Sequence, residues 1–433
     1  MSKKTLNLEP IPYRIGMVVG GVIVVTILLL SAVRLIGDSI AVSSAVPEVT
    51  EFAKTMSPGN PKPYFSSSSR LEQSFKNEDL QSAISDARIA ISYSPGDFSG
   101  WLALGRLLER AGDLEGAEKA LRRASELAPS FAAVQWSLGN LLLRKDKTEE
   151  AFKLIRSAAE SDTKYAGPAA SIAWDIHEGD MSKVKSSIGE SGPVKTALAV
   201  YLSKQKRYSE ALDIWKALSK QERTITYLKE GKSIVTNLAA GKKFITAVRV
   251  AADLRPAGAL IPKVGQVTNG GFESPLEPER PEFFQWKIVQ GRIPAIGIAV
   301  DEKRSGAKSL AVFFEGVMGK EFRTVSQTVA LKGGRRYSLR VHYKSSLKTD
   351  ATVEWQVADT GGAGLLSQTD PIENNTDWTT TQTTFSVPTE SDGVVVRLAR
   401  SDCQRLRCPI FGKVWFDDIE LVVAEEEARE ESE

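Results

Sequence analysis

A 34-residue repeat of small and apolar residues constrains the fold more than any other feature of the sequence. The repeated positions are Ala83, Ala87, Ala90 and Pro95, then Ala117, Leu121, Ala124 and Pro129, and finally Ala151, Ile155 and Ala158. Spacings of three, four and seven residues within each set indicate the buried face of a helix. A proline shortly after a helical segment marks its end. The sequence therefore predicts helices that recur along the chain, with small residues where neighbouring helices touch.

Each copy also contains an earlier helical segment with a Leu-Gly pair. The matching positions are Trp101, Leu104, Gly105 and Leu108 in one copy, and Gln135, Leu138, Gly139 and Leu142 in the next. This pattern resembles the tetratricopeptide repeat, a 34-residue unit of two antiparallel helices. The resemblance implies that Gly105 and Gly139 allow the paired helices to approach each other closely. It also implies a concave groove that binds a protein partner.

The repeat pattern weakens beyond residue 165 but does not stop. The segments "TALAVYLSKQKRYSEALDIWKAL" and "KSIVTNLAAGKKFITAVRVAADL" keep repeat-like spacings. The segment before them, "HEGDMSKVKSSIGESGP", is too short and too rich in glycine for a full copy of the repeat. We therefore predict about five helical hairpins over residues 70–255, stacked as a solenoid.

An uncharged stretch near the N-terminus predicts contact with a membrane. The 19 residues "IGMVVGGVIVVTILLLSAV" lie between Arg14 and Arg34 and are about long enough to cross a bilayer as a helix. A cleaved signal peptide is the alternative, with Ser43 and Ala45 as small residues near the cleavage point. The apolar run is longer than the core of a typical signal peptide, which favours a retained anchor.

Charges around this stretch predict its orientation. Lys3, Lys4 and Arg14 precede it, and positive charge is typical of the cytoplasmic side. We therefore predict a cytoplasmic leader over residues 1–14 and a single transmembrane anchor over residues 15–36. The rest of the chain would be periplasmic or extracytoplasmic, and a bacterial inner membrane fits the short leader.

Two segments read as unstructured from their composition. Residues 37–69 contain "SPGNPKPYFSSSS" and predict a flexible stalk rich in serine and proline. Residues 424–433, "AEEEAREESE", predict a solvated acidic tail.

The pattern changes to β-structure after a linker predicted at residues 256–266. Five later segments alternate apolar and polar residues: "YSLRVHYK", "TVEWQVA", "TTFSVP", "VVVRLAR" and "VWFDDIELVV". Short alternating segments of this kind predict an antiparallel β-sandwich. The predicted fold is therefore multidomain: one transmembrane helix, an all-α tetratricopeptide-like solenoid and an all-β sandwich.

The motifs of this C-terminal part follow a recognisable order over residues 267–423. They are "NGGFES", Trp286, "SGAKSLAV", "VSQTVALKGGRRYSLRVHYKS", Trp378 and "VWFDDIELV". This succession resembles carbohydrate-binding modules of the family-4/9 type, which are jelly-roll sandwiches. The resemblance implies that the domain binds a glycan.

The same resemblance implies a structural calcium ion. In family-4/9 modules the glutamate of "GFE" and an aspartate of the closing strand commonly hold Ca²⁺, which points to Glu273 and to Asp417 or Asp418 here. Calcium takes six to eight oxygen ligands, so carboxylates from the first and last strands are suitable. The alternatives are that Glu273 pairs with a nearby lysine and that the aspartates lie exposed on the strand.

Strand alternation separates the core residues from the candidate glycan contacts. It assigns structural roles to the aromatic residues Trp286, Trp355, Tyr337 and Tyr343, and the resemblance to family-4/9 modules implies that Trp378 is buried as well. The opposite faces carry the polar candidates Arg340, His342, Glu354, Gln356 and Arg397. If their strands are neighbours, these residues form a polar, net basic cleft for an anionic or heavily hydroxylated glycan. The alternative is an ordinary solvated outer face.

The two cysteines and two histidines limit the chemistry. Cys403 and Cys408 are predicted to form a local disulfide if the chain is exported, the alternative being a pair of reduced thiols. A zinc site would need further ligands nearby. His177 and His342 offer little material for histidine-based catalysis.

Neither an enzyme nor a nucleic-acid-binding protein is predicted. No segment is left over for a catalytic domain, and adjacent Asp417 and Asp418 point to opposite sides of a strand, which cannot form a hydrolase pair. No phosphate-binding loop or nucleophile elbow appears. The formal net charge is +2 and basic runs with aromatics are lacking, which gives no sign of nucleic-acid binding.

These features predict a membrane-anchored adaptor. Its repeats would bind a protein partner and its sandwich a polysaccharide or other glycan, in polysaccharide assembly or export. The alternative is a purely protein-binding scaffold in which the sandwich is a structural or docking module. An unrecognised hydrolase is a third and weaker hypothesis.

Overall fold

The computed structural model separates into two compact units, residues 1–194 and residues 195–433. The first unit is helical, and the second contains further helices followed by two β-sheets. Most of the predicted leader (1–10) and of the acidic tail (425–433) lies outside the described residues. The structure describes residues 11–43, 47–57, 59–74, 76–256, 258–279, 281–317, 322–349, 351–401 and 408–424.

The first helix, α1 (Ile11–Ser43), contains the predicted membrane segment. Within the described part of the chain, it is the one helix whose stretch, Ile15–Val33, is long and apolar enough to cross a membrane. Val18 and Leu30 on this stretch are each 66% exposed. The stretch therefore contributes little to a protein core and suits an apolar surrounding, as an anchor or a signal sequence would.

The prediction of a flexible stalk over residues 37–69 is wrong. After α1, this region forms α2 (Pro47–Met56) and the start of α3 (Pro61–Glu72). Asn60 caps α3 by accepting a hydrogen bond from the backbone N–H of Lys62. Proline is favourable in the first helical turn, where its missing N–H costs no hydrogen bond. Prolines that suggested a linker thus mark the beginning of a helix.

Two residues of the serine run, Ser67 and Ser68, are buried in the same region. Ser68 donates a hydrogen bond to the carbonyl of Ala83 at 3.0 Å, and Lys54 donates one to Ser67 at 3.1 Å. Lys54 also forms an ion pair with Asp86 at 2.7 Å. Serine is small and can satisfy its hydroxyl on neighbouring backbone, so a serine-rich face packs closely against another helix. Composition alone does not distinguish this role from that of a linker.

The described residues from 61 to 253 form six consecutive helix pairs, where the sequence predicted about five over a slightly shorter span. The pairs are α3 with α4 (Asn77–Tyr93), α5 (Phe98–Arg110) with α6 (Leu114–Leu127), α7 (Ala132–Arg144) with α8 (Thr148–Ser161), α9 (Ala166–Ile176) with α10 (Met181–Ile188), α11 (Gly192–Lys204) with α12 (Tyr208–Lys216), and α13 (Leu228–Ala240) with α14 (Phe244–Asp253). The short helix α10 occupies the glycine-rich segment that the sequence suggested was an incomplete copy, and Asp180 caps its first turn.

The glycines of the Leu-Gly pairs lie at the closest contacts between paired helices. A Cβ atom added to Gly105 would lie 2.5 Å from Cγ of Leu121. The same addition at Gly139 would lie 2.8 Å from Cγ1 of Ile155. Both distances are too short for a side chain, which confirms that the helix pairs need a residue without Cβ at this position.

A buried carboxylate links α6 to the next helix pair. The side chain of Glu118 is 10% exposed and contacts Lys145 at 2.6 Å, Lys147 at 2.8 Å and Arg122 at 2.8 Å. Hydrogen bonds from Lys145 and then from Lys147 are the main causes that lower the pKa of Glu118 to about 2. The ionised form is therefore the one that stabilises the packed repeats.

We expect Glu118→Gln to destabilise the repeats by about 2 kcal/mol near neutral pH, because Lys147 loses its contact with a carboxylate while Lys145 and Arg122 keep only Glu115 and Glu150. The folded pKa lies below the usual value of 4.5. The contribution is therefore complete above pH 4.5 and is lost as the pH falls toward 2. Urea unfolding followed by helical circular dichroism at several pH values measures it.

Glu126→Gln is the matched control. Glu126 lies on the same helix and pairs with Arg123, but both side chains are largely exposed, at 65% and 47%. Its replacement is expected to cost less than about 0.5 kcal/mol. Equal losses for the two variants, or a Glu118→Gln loss that persists in strong acid, would contradict the assignment.

Among the described residues, ten strands form the sandwich, five in each of two antiparallel sheets. Sheet A has the order β1-β4-β9-β6-β7 and sheet B has the order β2-β3-β10-β5-β8. The strands are β1 (Lys287–Ile288), β2 (Ala295–Ala299), β3 (Ser309–Val317), β4 (Val325–Ala330), β5 (Arg336–Lys348), β6 (Val353–Asp359), β7 (Leu365–Gln368), β8 (Asn375–Ser386), β9 (Gly393–Arg400) and β10 (Ile410–Val423).

Aromatic side chains fill the space between the two sheets. Phe272 of the "NGGFES" segment stacks on Trp286, with ring centroids 5.4 Å apart. Trp355 of sheet A meets Phe416 of sheet B edge-on at 5.3 Å. All four side chains are at most 1% exposed, so the alternation in the sequence assigned the core correctly.

The last helix pair and the sandwich belong to the same compact unit. Asp392, just before β9, accepts hydrogen bonds from the backbone N–H groups of Phe244 at 2.9 Å and Ile245 at 3.2 Å. These are the first two residues of α14, so a carboxylate from the sandwich caps a repeat helix. Lys242 also donates to the carbonyl of Gly361 at 2.7 Å. The predicted linker, residues 256–266, therefore joins elements that these contacts already hold together.

We expect Asp392→Ala to loosen α14 by about 1–2 kcal/mol, because two N–H groups lose their acceptor at the positive end of a helix. Hydrogen exchange of the α14 amides in the full chain measures the effect. Asp392→Asn keeps an acceptor oxygen and is expected to lose less.

Glu390→Ala controls for the loss of a nearby negative charge. Glu390 is exposed and lies two residues before Asp392. Its replacement is expected to leave the exchange of α14 unchanged. If the α14 amides exchange at the same rate in Asp392→Ala as in Glu390→Ala, the cap does not stabilise the helix.

Candidate functional site

The five predicted glycan contacts do not form one cleft, and that prediction is wrong. Arg340 and His342 lie on β5 in sheet B, whereas Glu354 and Gln356 on β6 and Arg397 on β9 lie in sheet A. Their side chains therefore occupy the two opposite outer faces of the sandwich. The sequence alternation tells which side of a strand faces the core, but not which sheet the strand joins.

Two cationic side chains on the outer face of sheet B are paired with acidic partners. Arg340 contacts Glu420 at 2.7 Å, and both side chains are partly exposed. Lys344 contacts Glu302 at 3.0 Å and Asp377 at 3.4 Å. These pairs offset the positive charges of Arg340 and Lys344 at the centre of β5.

His342 is uncharged near neutral pH in this setting. Burial is the main cause that lowers the pKa of His342, and the positive charge of Arg304 adds to it. Its Nδ1 atom lies 2.7 Å from Oγ1 of Thr380 on the neighbouring strand. This hydrogen bond ties β5 to β8 and fixes the ring on the outer face.

The outer face of sheet A presents an ordered polar row across four strands. The strand register aligns Ser326 of β4 with Arg397 of β9, then with Gln356 of β6 and Gln368 of β7. Nε of Arg397 donates to Gln356 at 3.0 Å, and Nε2 of Gln356 donates to Glu354 at 2.9 Å. Glu354 is only 4% exposed, while Arg397 is exposed. A buried carboxylate thus orients an amide, which in turn orients an accessible guanidinium.

The neighbouring positions on this face have smaller side chains. The next row toward the end of the sheet consists of Thr328, Val395 and Ala358. Beyond it, Phe244 of α14 packs over Gly393, where an added Cβ would lie 3.2 Å from Cβ of Phe244. Arg397 lies four residues along β9 from Gly393, or about 13 Å. Arg397 and Gln368 of the polar row are both exposed, so the helix does not cover these two residues.

The sequence analysis missed three aromatic residues on the outer face of sheet B: Phe313, Phe411 and Trp415. Trp415 pairs across the sheet with Lys344 and Ala311, on the side opposite to core residue Phe416. Alternation in "VWFDD" was the signal for it, although Trp415 is only 9% exposed. Trp378 is half-buried. The other four aromatic candidates are core residues, exposed by 4% or less: Trp286, Trp355, Tyr337 and Tyr343.

Asp417, a predicted calcium ligand, is fully buried and bound by main-chain N–H groups. Its Oδ2 atom accepts from Arg304 at 2.9 Å and from Ser305 at 3.1 Å, and its Oδ1 atom accepts from Asp418 at 2.8 Å. Burial is the largest effect on this carboxyl and raises its pKa, although the three hydrogen bonds favour the ionised form. The alternative of an exposed aspartate does not apply to this position.

The other two predicted ligands bind the same loop. Asp418 contacts the guanidinium of Arg304 at 2.6 Å and accepts from the hydroxyl of Ser305 at 2.9 Å. Oε1 of Glu273 accepts from the N–H groups of Ala307 at 2.9 Å and Lys308 at 3.2 Å.

These contacts do not fit a calcium ion in the predicted position. Calcium requires six to eight oxygens directed at one point. Within the described ranges, no group of three or more acidic, histidine or cysteine side chains is placed to hold a metal. The oxygens of Glu273, Asp417 and Asp418 are instead directed at N–H, hydroxyl and guanidinium donors.

The remaining predicted site is the disulfide. Cys408 is 4% exposed and disulfide-bonded. Its predicted partner, Cys403, lies outside the described residues. The other histidine, His177, contacts Ser187 at 2.7 Å and stacks on Phe152 at 5.2 Å, which is a packing arrangement.

Two family models match separate parts of the chain. One, described as tetratricopeptide repeat, matches residues 75–130 and 102–166. The other, described as carbohydrate binding domain, matches residues 264–402. Domains of both kinds are non-catalytic. No curated protein matches the sequence.

Solved structures resemble one or the other part at low identity. A family-4 carbohydrate-binding module is 14% identical, with 36% of this chain and 99% of that chain covered and a TM-score of 0.28. The C-terminal family-22 module of a Clostridium thermocellum protein, Xyn10B, is 15% identical, with 36% and 92% covered and a TM-score of 0.25. A MamA RS-1 double mutant is 13% identical, with 43% and 95% covered and a TM-score of 0.31.

The family matches coincide with the two kinds of structure described above. Residues 75–166 lie within the helix pairs, and residues 264–402 include nine of the ten strands. The chain therefore combines tetratricopeptide repeats with a C-terminal β-sandwich that resembles family-4/9 carbohydrate-binding modules, as the sequence motifs predicted.

Proposed function

We propose that the protein is a membrane-anchored, extracytoplasmic adaptor. Its helical repeats bind a protein partner, and the outer face of sheet A binds a glycan. The proposed role is binding without catalysis, in the assembly or export of a polysaccharide. The repeats and the sandwich are domain types that suggest protein interaction and carbohydrate binding, respectively.

The polar row on sheet A is the observation that carries the glycan assignment. Sugar hydroxyls are recognised by donors and acceptors whose positions are fixed before binding. Arg397 keeps N–H groups available beyond the Nε–H that binds Gln356, because guanidinium has five N–H donors. Ser326 and Gln368 extend the row on either side with groups that can both donate and accept.

The charge balance of this face favours a neutral, heavily hydroxylated glycan over an anionic one. Arg397 is connected to the carboxylate of Glu354 through the amide of Gln356. An acidic glycan would approach that carboxylate as well as the guanidinium. We expect hydrogen bonds rather than net charge to provide the affinity.

The first test compares Arg397→Ala with wild type on a panel of soluble neutral and uronic-acid-containing glycans. Affinity electrophoresis of the full chain identifies a bound glycan, and calorimetry measures its Kd. Loss of the hydrogen bonds from Arg397 is expected to weaken binding roughly tenfold. Neutral glycans are expected to bind more tightly than acidic ones.

Arg340→Ala is the matched control on sheet B, because Arg340 is also a partly exposed arginine in a polar contact. It is expected to bind glycan like wild type. If Arg340→Ala but not Arg397→Ala weakens glycan binding, the binding site lies on sheet B. Absence of binding to every glycan on the panel would support the alternative, a protein-binding scaffold.

One observation favours that scaffold. Phe244 already uses part of the outer face of sheet A by packing over Gly393, and Asp392 caps the same helix. A sandwich whose outer face serves to hold a repeat helix could have a purely structural role. The polar row remains outside this contact, which is why glycan binding is preferred.

The proposed location is a bacterial inner membrane, with the N-terminus in the cytoplasm. The apolar part of α1 and the basic residues before it support this orientation. The disulfide at Cys408 suits an oxidising extracytoplasmic compartment.

The second test separates an anchor from a signal sequence. Expressed with its native N-terminus, the chain is expected to stay in the membrane pellet during alkaline carbonate extraction. Mass spectrometry of the mature protein is expected to recover peptides from before residue 43. A soluble product that begins near residue 46 would instead identify a cleaved signal peptide.

A further inference from the structure

The loop of residues 304–308 connects the beginning and the end of the sandwich. Glu273 follows the glycine pair near the start of the domain, and Asp417 and Asp418 lie on the last strand. The N–H of Ile419 donates to the carbonyl of Gly270 at 3.0 Å, so the two segments are in direct contact. A Cβ on Gly270 would lie 2.0 Å from the carbonyl oxygen of Ile419, which makes glycine necessary there.

The loop supplies donors to the three carboxylates at close range. Four backbone N–H groups take part: those of Arg304 and Ser305 contact Asp417, and those of Ala307 and Lys308 contact Glu273. Gly306 at the centre has φ +59°, and a Cβ there would lie 2.1 Å from Oε1 of Glu273. Glycine therefore lets the loop bend so that its N–H groups face the carboxylates.

Two cationic side chains of the loop complete the arrangement. The guanidinium of Arg304 contacts Asp418 at 2.6 Å, and the ammonium of Lys308 donates to the carbonyl oxygen of Glu273 at 2.9 Å. Three carboxylates thus face one guanidinium and a set of N–H dipoles, while the ammonium of Lys308 binds a backbone carbonyl beside them. These donors offset part of the negative charge that a divalent cation would otherwise neutralise.

We propose that the loop of residues 304–308, with Arg304 as the cation on Asp418, takes the place of a divalent cation, so that the segment of Glu273 and the last strand are joined without a metal. A guanidinium binds carboxylates through several directed N–H groups, whereas a metal requires oxygens that converge on one point. The loop N–H groups donate to Oδ2 of Asp417 and Oε1 of Glu273, so these oxygens already have partners without a metal. This proposal is independent of the glycan face on sheet A.

The test measures hydrogen exchange of the loop and of β10 in the full chain, with EDTA and with millimolar CaCl₂. The wild-type protein is expected to exchange at the same rate in both conditions, and its Tm is expected to be unchanged. Arg304→Gln removes the cation but keeps a polar side chain. It is expected to speed exchange of the loop roughly tenfold and to lower the Tm of the sandwich by about 2–4 °C.

Two further variants decide whether the effect is specific. Arg304→Lys keeps a positive charge and is expected to restore part of the protection. Arg340→Gln breaks a comparable, partly exposed ion pair on the same sheet and is expected to leave the loop unchanged. The proposal is overturned if Ca²⁺ slows exchange of the wild-type loop or raises its Tm. It is also overturned if Arg304→Gln exchanges like wild type or like Arg340→Gln.

Discussion

The contact between the last repeat helix and the sandwich is centred on the carboxylate of Asp392. Its two oxygens accept the first two N–H groups of α14, which belongs to the repeats, while its own segment leads into β9 of the sandwich. Free N–H groups at a helix N-terminus are costly to bury without an acceptor. Asp392, which lies in the sandwich, accepts hydrogen bonds from two such N–H groups of a repeat helix. Helices and sheets that the sequence separates by a linker thus share one compact unit.

The path of the chain between the two sheets determines where a ligand can bind. Consecutive strands β5 and β6 lie in different sheets, so polar residues that are close in sequence face opposite sides of the sandwich. On sheet B, Arg340 and Lys344 bind acidic side chains of the protein itself. On sheet A, Glu354, Gln356 and Arg397 form a chain of hydrogen bonds that ends at an exposed guanidinium. The second arrangement leaves donors for a ligand, and the first leaves few.

Charged side chains in this protein mostly stabilise its own structure. Glu118 joins two helix pairs through three cations, and Arg304 joins the last strand of the sandwich to an adjacent loop. The formal net charge of +2 is small because basic and acidic residues are nearly equal in number, and many of them form ion pairs. Recognition of a partner by long-range electrostatic attraction is correspondingly weak, and shape and hydrogen bonding gain importance.

The sequence by itself determined the repeat and the sandwich. The 34-residue spacing, the glycines at positions 105 and 139, and strand alternation follow from local geometry, since each reflects the period of a helix or strand. Only the tertiary structure decided which sheet holds Arg397, that the serine run lies on helix α3 and packs against α4, and that Asp392 caps α14. These outcomes depend on residues far apart in the chain, and no local period records which of them become neighbours.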